Sequence, residues 1–155
     1  LWLPLKEMTD GNNFFLRSNP EITLTSPGAA RQVITVGGYQ ASNTSIYADS
    51  GRGYTTTGEI KPDFVAPAVD VYGPGLRNNF ITFTGTSAAA AITAGACAQI
   101  MQWAIVDQNN TIMSHTSIKN MLIRGTAKPE NRTYPNREWG YGTLDVYGAF
   151  QNLRL

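Results

Sequence analysis

The stretch Asn79-Phe80-Ile81-Thr82-Phe83-Thr84-Gly85-Thr86-Ser87-Ala88-Ala89-Ala90-Ala91 joins two kinds of sequence. Asn79 to Thr84 is rich in β-branched and aromatic residues and reads as a strand. From Thr86 an alanine-rich segment runs to about Val106 and reads as a helix. A serine at a strand-to-helix junction has two readings. It is an N-cap, Thr86 or Ser87 holding the first amides of a buried helix. Or it is a nucleophile, its hydroxyl exposed where unpaired backbone N–H groups stand ready for an oxyanion. Gly85 permits close backbone approach in either case.

The helix is small all round over its first half: Ala88 to Ala91, Ala94, Gly95, Ala96 and Ala98. Such a helix is expected to run through the middle of a domain, with neighbours close on several sides. A leucine at Gly95 is therefore expected to overpack it. The second half is amphipathic, with Ile100, Met101, Trp103, Ala104 and Ile105 set against Gln99, Gln102 and Asp107. Asn109-Asn110 is expected to end it.

Outward from this junction, composition narrows the class. The 155 residues are 42% hydrophobic and 15% charged, with 15 glycines, which fits a single turn-rich globular domain over 1–155. The formal net charge of +1 gives no case for nucleic acid. The apolar run Ala88–Ala98 is too short to cross a bilayer, so no membrane segment is expected. Leu1 is not an initiator methionine, which leads to the expectation that the chain is a piece of a longer protein. The single Cys97 has no partner for a disulfide or a metal site and reads as a packing group. No metal ligand set is visible, and no cofactor is called for. Gly51-Arg52-Gly53 and Gly58 lack the spacing of a phosphate loop.

The remaining chain reads as short elements. Leu1-Trp2-Leu3-Pro4 opens as a strand that breaks at proline, and Asp10-Gly11-Asn12-Asn13 signals a turn. Val33–Val36 is an expected buried strand. Phe64-Val65 is a short apolar strand bracketed by Pro62 and Pro67. A second helix is expected after Ser114 or Thr116, with Ile118, Met121 and Leu122 on one face and Gly125 at its end. Tyr141–Leu144 reads as a strand, and Asp145 as the cap of a short last helix.

Four segments stand in order: Ile34-Thr35-Val36-Gly37-Gly38, Lys61-Pro62-Asp63-Phe64-Val65-Ala66-Pro67, Gly85-Thr86-Ser87-Ala88-Ala89, and Trp139-Gly140-Tyr141-Gly142-Thr143-Leu144-Asp145. Together they resemble the carboxyl-terminal half of the catalytic domain of subtilisin-like serine proteases, the subtilases of peptidase family S8, over roughly Leu24 to Phe150. Ala91 and Ile92 replace the proline and histidine that many subtilases carry after the serine, so the likeness is to a divergent, bacterial-type member. The resemblance implies an α/β fold. Its mostly parallel sheet, through Val33–Val36, Phe64–Val65 and Ile81–Phe83, is expected to pack against the long buried helix.

The resemblance further implies that Ser87 is the nucleophile of a serine endopeptidase acting on peptide or protein substrates. It implies that Ser26-Pro27-Gly28 borders the pocket for the residue before the cut, with Pro27 as a cis proline. Calcium is left open by the resemblance. Asp63 does not match the triad member and reads as structural, bonding turn amides. A serine hydroxyl needs a general base and an orienting acid. The only histidine, His115, lies beyond a helix ~30 Å long at ~1.5 Å per residue, outside hydrogen-bond reach of Ser87. In the family the triad Asp and His come from the amino-terminal half, which is the expected missing partner. The chain alone is expected to be inactive. Two other readings remain: a pseudoprotease or binding module keeping the fold without turnover, and an α/β-hydrolase, which needs a glycine where Ala89 stands.

Overall fold

The computed structural model describes Met8 and residues 13–153. The expected opening strand Leu1–Pro4 and most of the Asp10–Asn13 turn lie outside the described residues. Five short strands and three α-helices follow in the order β1 (Val36–Gln40), β2 (Ser45–Ile46), β3 (Phe64–Pro67), β4 (Val71–Pro74), β5 (Phe80–Phe83), α1 (Thr86–Met101), α2 (His115–Gly125) and α3 (Val146–Gln151). Between α1 and α2, Gln102–Val106 continues α1 as a π-helical turn.

The sheet departs from expectation. One three-stranded sheet has the order β2-β1-β3, and β4 and β5 form a separate pair. Only β1 and β3 run parallel, with Val36 opposite Phe64 and Tyr39 opposite Pro67. The pairs β1–β2 and β4–β5 are antiparallel. Among the described residues the strands are thus mixed and mostly antiparallel, not mostly parallel. Connection length explains it: two strands joined by a few residues can only turn back, and parallel pairing needs a crossover of about a dozen or more. Residues 41–44 join β1 to β2, with the Ser45 N–H donating to Asn43 Oδ1 at 3.0 Å. Residues 75–79 join β4 to β5, closed by the Gly75 N–H on the Asn79 carbonyl at 2.7 Å, with Arg77 and Asn78 at positive φ. The strand before Ser87 was expected inside the main sheet. It lies instead on this hairpin, with Phe80, Ile81 and Phe83 exposed.

The first strand also starts late, at Val36 rather than Val33. Side chains take the ladder's place upstream. The Val33 carbonyl accepts from Lys61 Nζ at 2.7 Å and from Lys119 Nζ at 3.2 Å. The Thr35 N–H donates to Asp63 Oδ2 at 2.7 Å. Tyr141–Leu144 forms bridges rather than a strand: Thr143 pairs in parallel with Val65 and antiparallel with Ala127.

The long helix begins and ends where the composition placed it. Beyond the π turn, Asn109 Nδ2 donates to the Trp103 carbonyl at 2.8 Å and the Asn110 N–H to that of Ala104 at 2.8 Å, taking up two of the carbonyls that the helix end leaves free. Trp103 meets the Phe150 ring edge-on at 5.7 Å, tying the turn to α3. Ser114 caps α2 by accepting from the Ser117 N–H at 3.1 Å, and Asp145 caps α3 by accepting from that of Gly148 at 2.9 Å.

The helix is buried on one face only. Ala89, Thr93, Ala96 and Ile100 face the core, where Ala96 and Ile100 join Phe64, Ile118, Met121, Leu122 and Ala149. Ala90, Ala91, Ala94, Gly95 and Ala98 are exposed. A Cβ built on Gly95 meets nothing within 4 Å, so the expectation that leucine overpacks this position does not hold for the described chain. By length and composition Thr86–Val106 would suffice to cross a bilayer, which the shorter Ala88–Ala98 run did not suggest. Its buried stripe against the sheet and α2 is the packing of a core helix.

Candidate functional site

Ser87 stands in the first turn of α1. The N-cap position is Gly85, with φ 146° and ψ 159°, and no side chain caps the helix. That φ suits glycine and strains other residues. The cap reading of the junction therefore does not hold: neither Thr86 nor Ser87 spends its hydroxyl on a first-turn amide. Ser87 is exposed. Its backbone N–H belongs to the turn whose amides have no carbonyl partner within the helix, at the positive end of the macrodipole. The Gly85 N–H donates to the Ala68 carbonyl at 2.7 Å, which fixes the junction against the end of β3.

A cavity of about 800 Å³ opens beside Ser87, with Leu24, Gly28, Ile34, Thr35, Ser50 and Thr86 among its walls. Gly28 and Ser87 thus share one space. Ser26 borders a neighbouring cavity of about 580 Å³, separated from the first by Thr23 and Leu24, which line both. The Ser26–Pro27 peptide is cis. The Ala30 N–H donates to the Pro27 carbonyl at 2.9 Å, closing the turn.

Two hydroxyls that sequence reasoning passed over hold the walls. Ser50 Oγ accepts from the Gly38 N–H at 3.0 Å, tying the Ala48–Gly51 loop to β1. Thr35 Oγ1 donates to the Gly28 carbonyl at 2.5 Å, tying β1's approach to the cis-proline turn. Thr35 lies inside the strand motif Ile34–Gly38, one of the four that carry the resemblance, and nothing in the pattern separates it from its apolar neighbours.

Asp63 is structural, and more so than a turn ligand. It is 2% exposed and Lys61 is 1% exposed. Asp63 Oδ2 takes Lys61 Nζ at 2.8 Å and the Thr35 N–H at 2.7 Å, while Oδ1 takes Lys119 Nζ at 2.9 Å. The Asp63 N–H donates to the Thr35 carbonyl at 2.8 Å. Burial pushes the Lys61 ammonium below the usual lysine range, against the pull of Asp63 and with the help of Lys119. Lys119 carried no sequence signal, because it reaches the node from α2.

His115 does not join Ser87. It is exposed at the first turn of α2, its Nε2 3.1 Å from the Thr116 hydroxyl. Cys97 is half-buried, packed against the core from α1, and burial pushes its thiol up. Among the described residues no three His, Cys, Asp or Glu side chains converge as a metal site would need.

The model of the subtilase family matches residues 9–142. The chain belongs to the subtilase family. The serine protease AprX of Bacillus subtilis is 33% identical to it over 147 residues, covering 82% of this chain and 30% of the relative. The membrane-bound transcription factor site-1 protease of Mus musculus is 31% identical over 138 residues, covering 84% of this chain and 12% of the relative. Among solved structures, the CspB protease of Clostridium perfringens superposes with a TM-score of 0.88 at 33% identity, covering 94% of this chain and 32% of that one. The subtilase chain described here therefore spans less than a third of AprX and about a third of CspB. Its relatives in this family are named as proteases.

Proposed function

We propose that the full-length protein is a subtilisin-type serine endopeptidase of divergent, bacterial type, and that this chain is the carboxyl-terminal part of its catalytic domain. The likeness to AprX and CspB supports the bacterial reading. The observation that carries the function is the placement of Ser87: uncapped, exposed in the first turn of α1, and sharing a cavity with Gly28. In this reading Ser87 Oγ attacks the scissile carbonyl. The Ser87 N–H donates to the oxyanion, with a side-chain amide from the missing half as second donor. Of the turn Ser26-Pro27-Gly28, Gly28 borders the pocket for the residue before the cut and Ser26-Pro27 sets the turn that carries it. The triad His and Asp come from the amino-terminal half, because the one histidine here is held at α2.

That half packs on the exposed face Ala90, Ala91, Ala94, Gly95 and Ala98, whose small side chains admit a close neighbour. Without it Ser87 has no base, and the 155-residue chain alone is inactive. The experiment is fluorophosphonate labelling and peptide hydrolysis, with the full-length protein, its Ser87→Ala variant and the isolated chain side by side. Labelling and turnover in the full-length protein, lost by several orders of magnitude in Ser87→Ala at an unchanged melting temperature, are expected. Activity retained in the variant overturns Ser87 as nucleophile. An unreactive, well-folded full-length protein favours a pseudoprotease.

A further inference from the structure

We propose that Thr35 is a positioning residue for the substrate pocket, setting its width through Gly28 while the buried Lys61–Asp63–Lys119 node holds Thr35 from behind; this rests on the reading of Ser87 as nucleophile. Thr35 stands between two environments. On one side it lines the cavity that Ser87 shares with Gly28. On the other, both of its backbone polar groups go to Asp63: the N–H to the carboxylate at 2.7 Å, the carbonyl to the Asp63 N–H at 2.8 Å. Its side chain is committed as well, with the hydroxyl donating to the Gly28 carbonyl at 2.5 Å. Thr35 therefore has little freedom, and neither has the carbonyl it grips.

The grip matters because Gly28 is otherwise lightly held. It lies in a part-exposed turn, and a Cβ built on it would sit 3.0 Å from the Thr25 carbonyl and 3.4 Å from Thr35 Cγ2. The turn and Thr35 are thus already in near contact, and the hydroxyl fixes their spacing. Behind Thr35, Asp63 cannot swing: lysines from two different segments clamp its two oxygens, and both lysines also bond the Val33 carbonyl. The node belongs to α2 and to the Lys61–Asp63 segment, so the pocket wall is referenced to the core rather than to the loops around it. A wall held this way discriminates between side chains by size, because it cannot yield to a larger one.

The test uses the full-length protein and two peptide series identical except for a small or a large side chain before the scissile bond. kcat and KM are measured separately for each. Thr35→Val keeps the shape and removes the hydroxyl. It is expected to raise KM for the preferred series more than it lowers kcat, and to reduce the preference between the series about tenfold. Thr35→Ser keeps the hydroxyl and is expected to restore the parent preference. Gly28→Ala, whose added Cβ presses on the Thr25 carbonyl and so displaces the Gly28 carbonyl that Thr35 grips, decides the matter if Thr35→Val does not fold, and is also expected to shift the preference.

Parent-like KM and preference in a folded Thr35→Val, or in Gly28→Ala where Thr35→Val is unfolded, overturn the proposal even when Ser87→Ala abolishes activity. Turnover surviving in Ser87→Ala overturns the functional reading itself, a separate result.

Discussion

Asp63 ties Lys61, Lys119 and Thr35 together behind the cavity wall. It accepts from two lysines and one backbone amide, and it is 2% exposed. The node's stability follows from the asymmetry of buried charge. A paired ion gains little over an apolar residue of the same shape, but a buried ion that loses its partner keeps the whole desolvation cost. Asp63→Asn leaves two ammonium groups facing a neutral amide, and is expected to cost about 3–5 kcal/mol. Lys61→Met fills the same space without charge and leaves Asp63 its second lysine, so it is expected to cost much less. Denaturant midpoints at unchanged slope in the full-length protein check the order. The pH dependence has a definite sign. The folded Lys61 is pushed below the ordinary lysine range, so between those two values the unfolded chain binds more protons and this group's contribution to stability rises with pH. Lys61→Met removes that slope.

At the scale of elements, what was legible and what was not divides along one line. The ends of α1 and α2, the Ser114 and Asp145 caps and the existence of strands near Phe64 and Ile81 could be read from the chain, because each depends on residues a few positions apart. Strand partners could not. The β-branched and aromatic residues of Phe80–Phe83 say that it is a strand, but its antiparallel pairing with Val71–Pro74 is decided by the turn at 75–79. The late start of β1 depends on Lys119 and Asp63, 86 and 28 residues from the groups they take. Helix contacts are of the same long-range kind. Gly125, the last residue of α2, was read as a stop signal; in the fold a Cβ there would overlap the Ala149 backbone of α3. Its absence is what lets α3 dock. Gly125→Ala is therefore expected to be destabilising by about 1–3 kcal/mol, although alanine is the better helix former. A melting temperature at or above that of the parent would show that α3 yields instead.

At the scale of the whole molecule, α1 is a helix with one wall. The sequence announced a helix small on every face, and the described chain buries Ala89, Thr93, Ala96 and Ile100 while Ala90, Ala91, Ala94, Gly95 and Ala98 stay exposed. The candidate site shows the same division: Ser87 and Gly28 were legible from motifs, whereas Thr35, Ser50 and Lys119 emerge only from contacts across the fold. A base for Ser87 is not among the described contacts. In the proposed reading, the open face and the base that Ser87 needs are both met by a second wall from an amino-terminal half, and Gly95 measures it. In the isolated chain there is open space at Gly95. Leucine there is accommodated, and its better helix propensity is expected to stabilise by up to about 1 kcal/mol. In the full-length protein the same leucine meets a packed neighbour and is expected to cost about 1–3 kcal/mol or more. The sign reversal between the two, read from paired denaturation curves, is the signature of a covered face. Equal effects in both would mean that Gly95 stays open in the complete domain, and that the proposed amino-terminal half approaches Ser87 from another side.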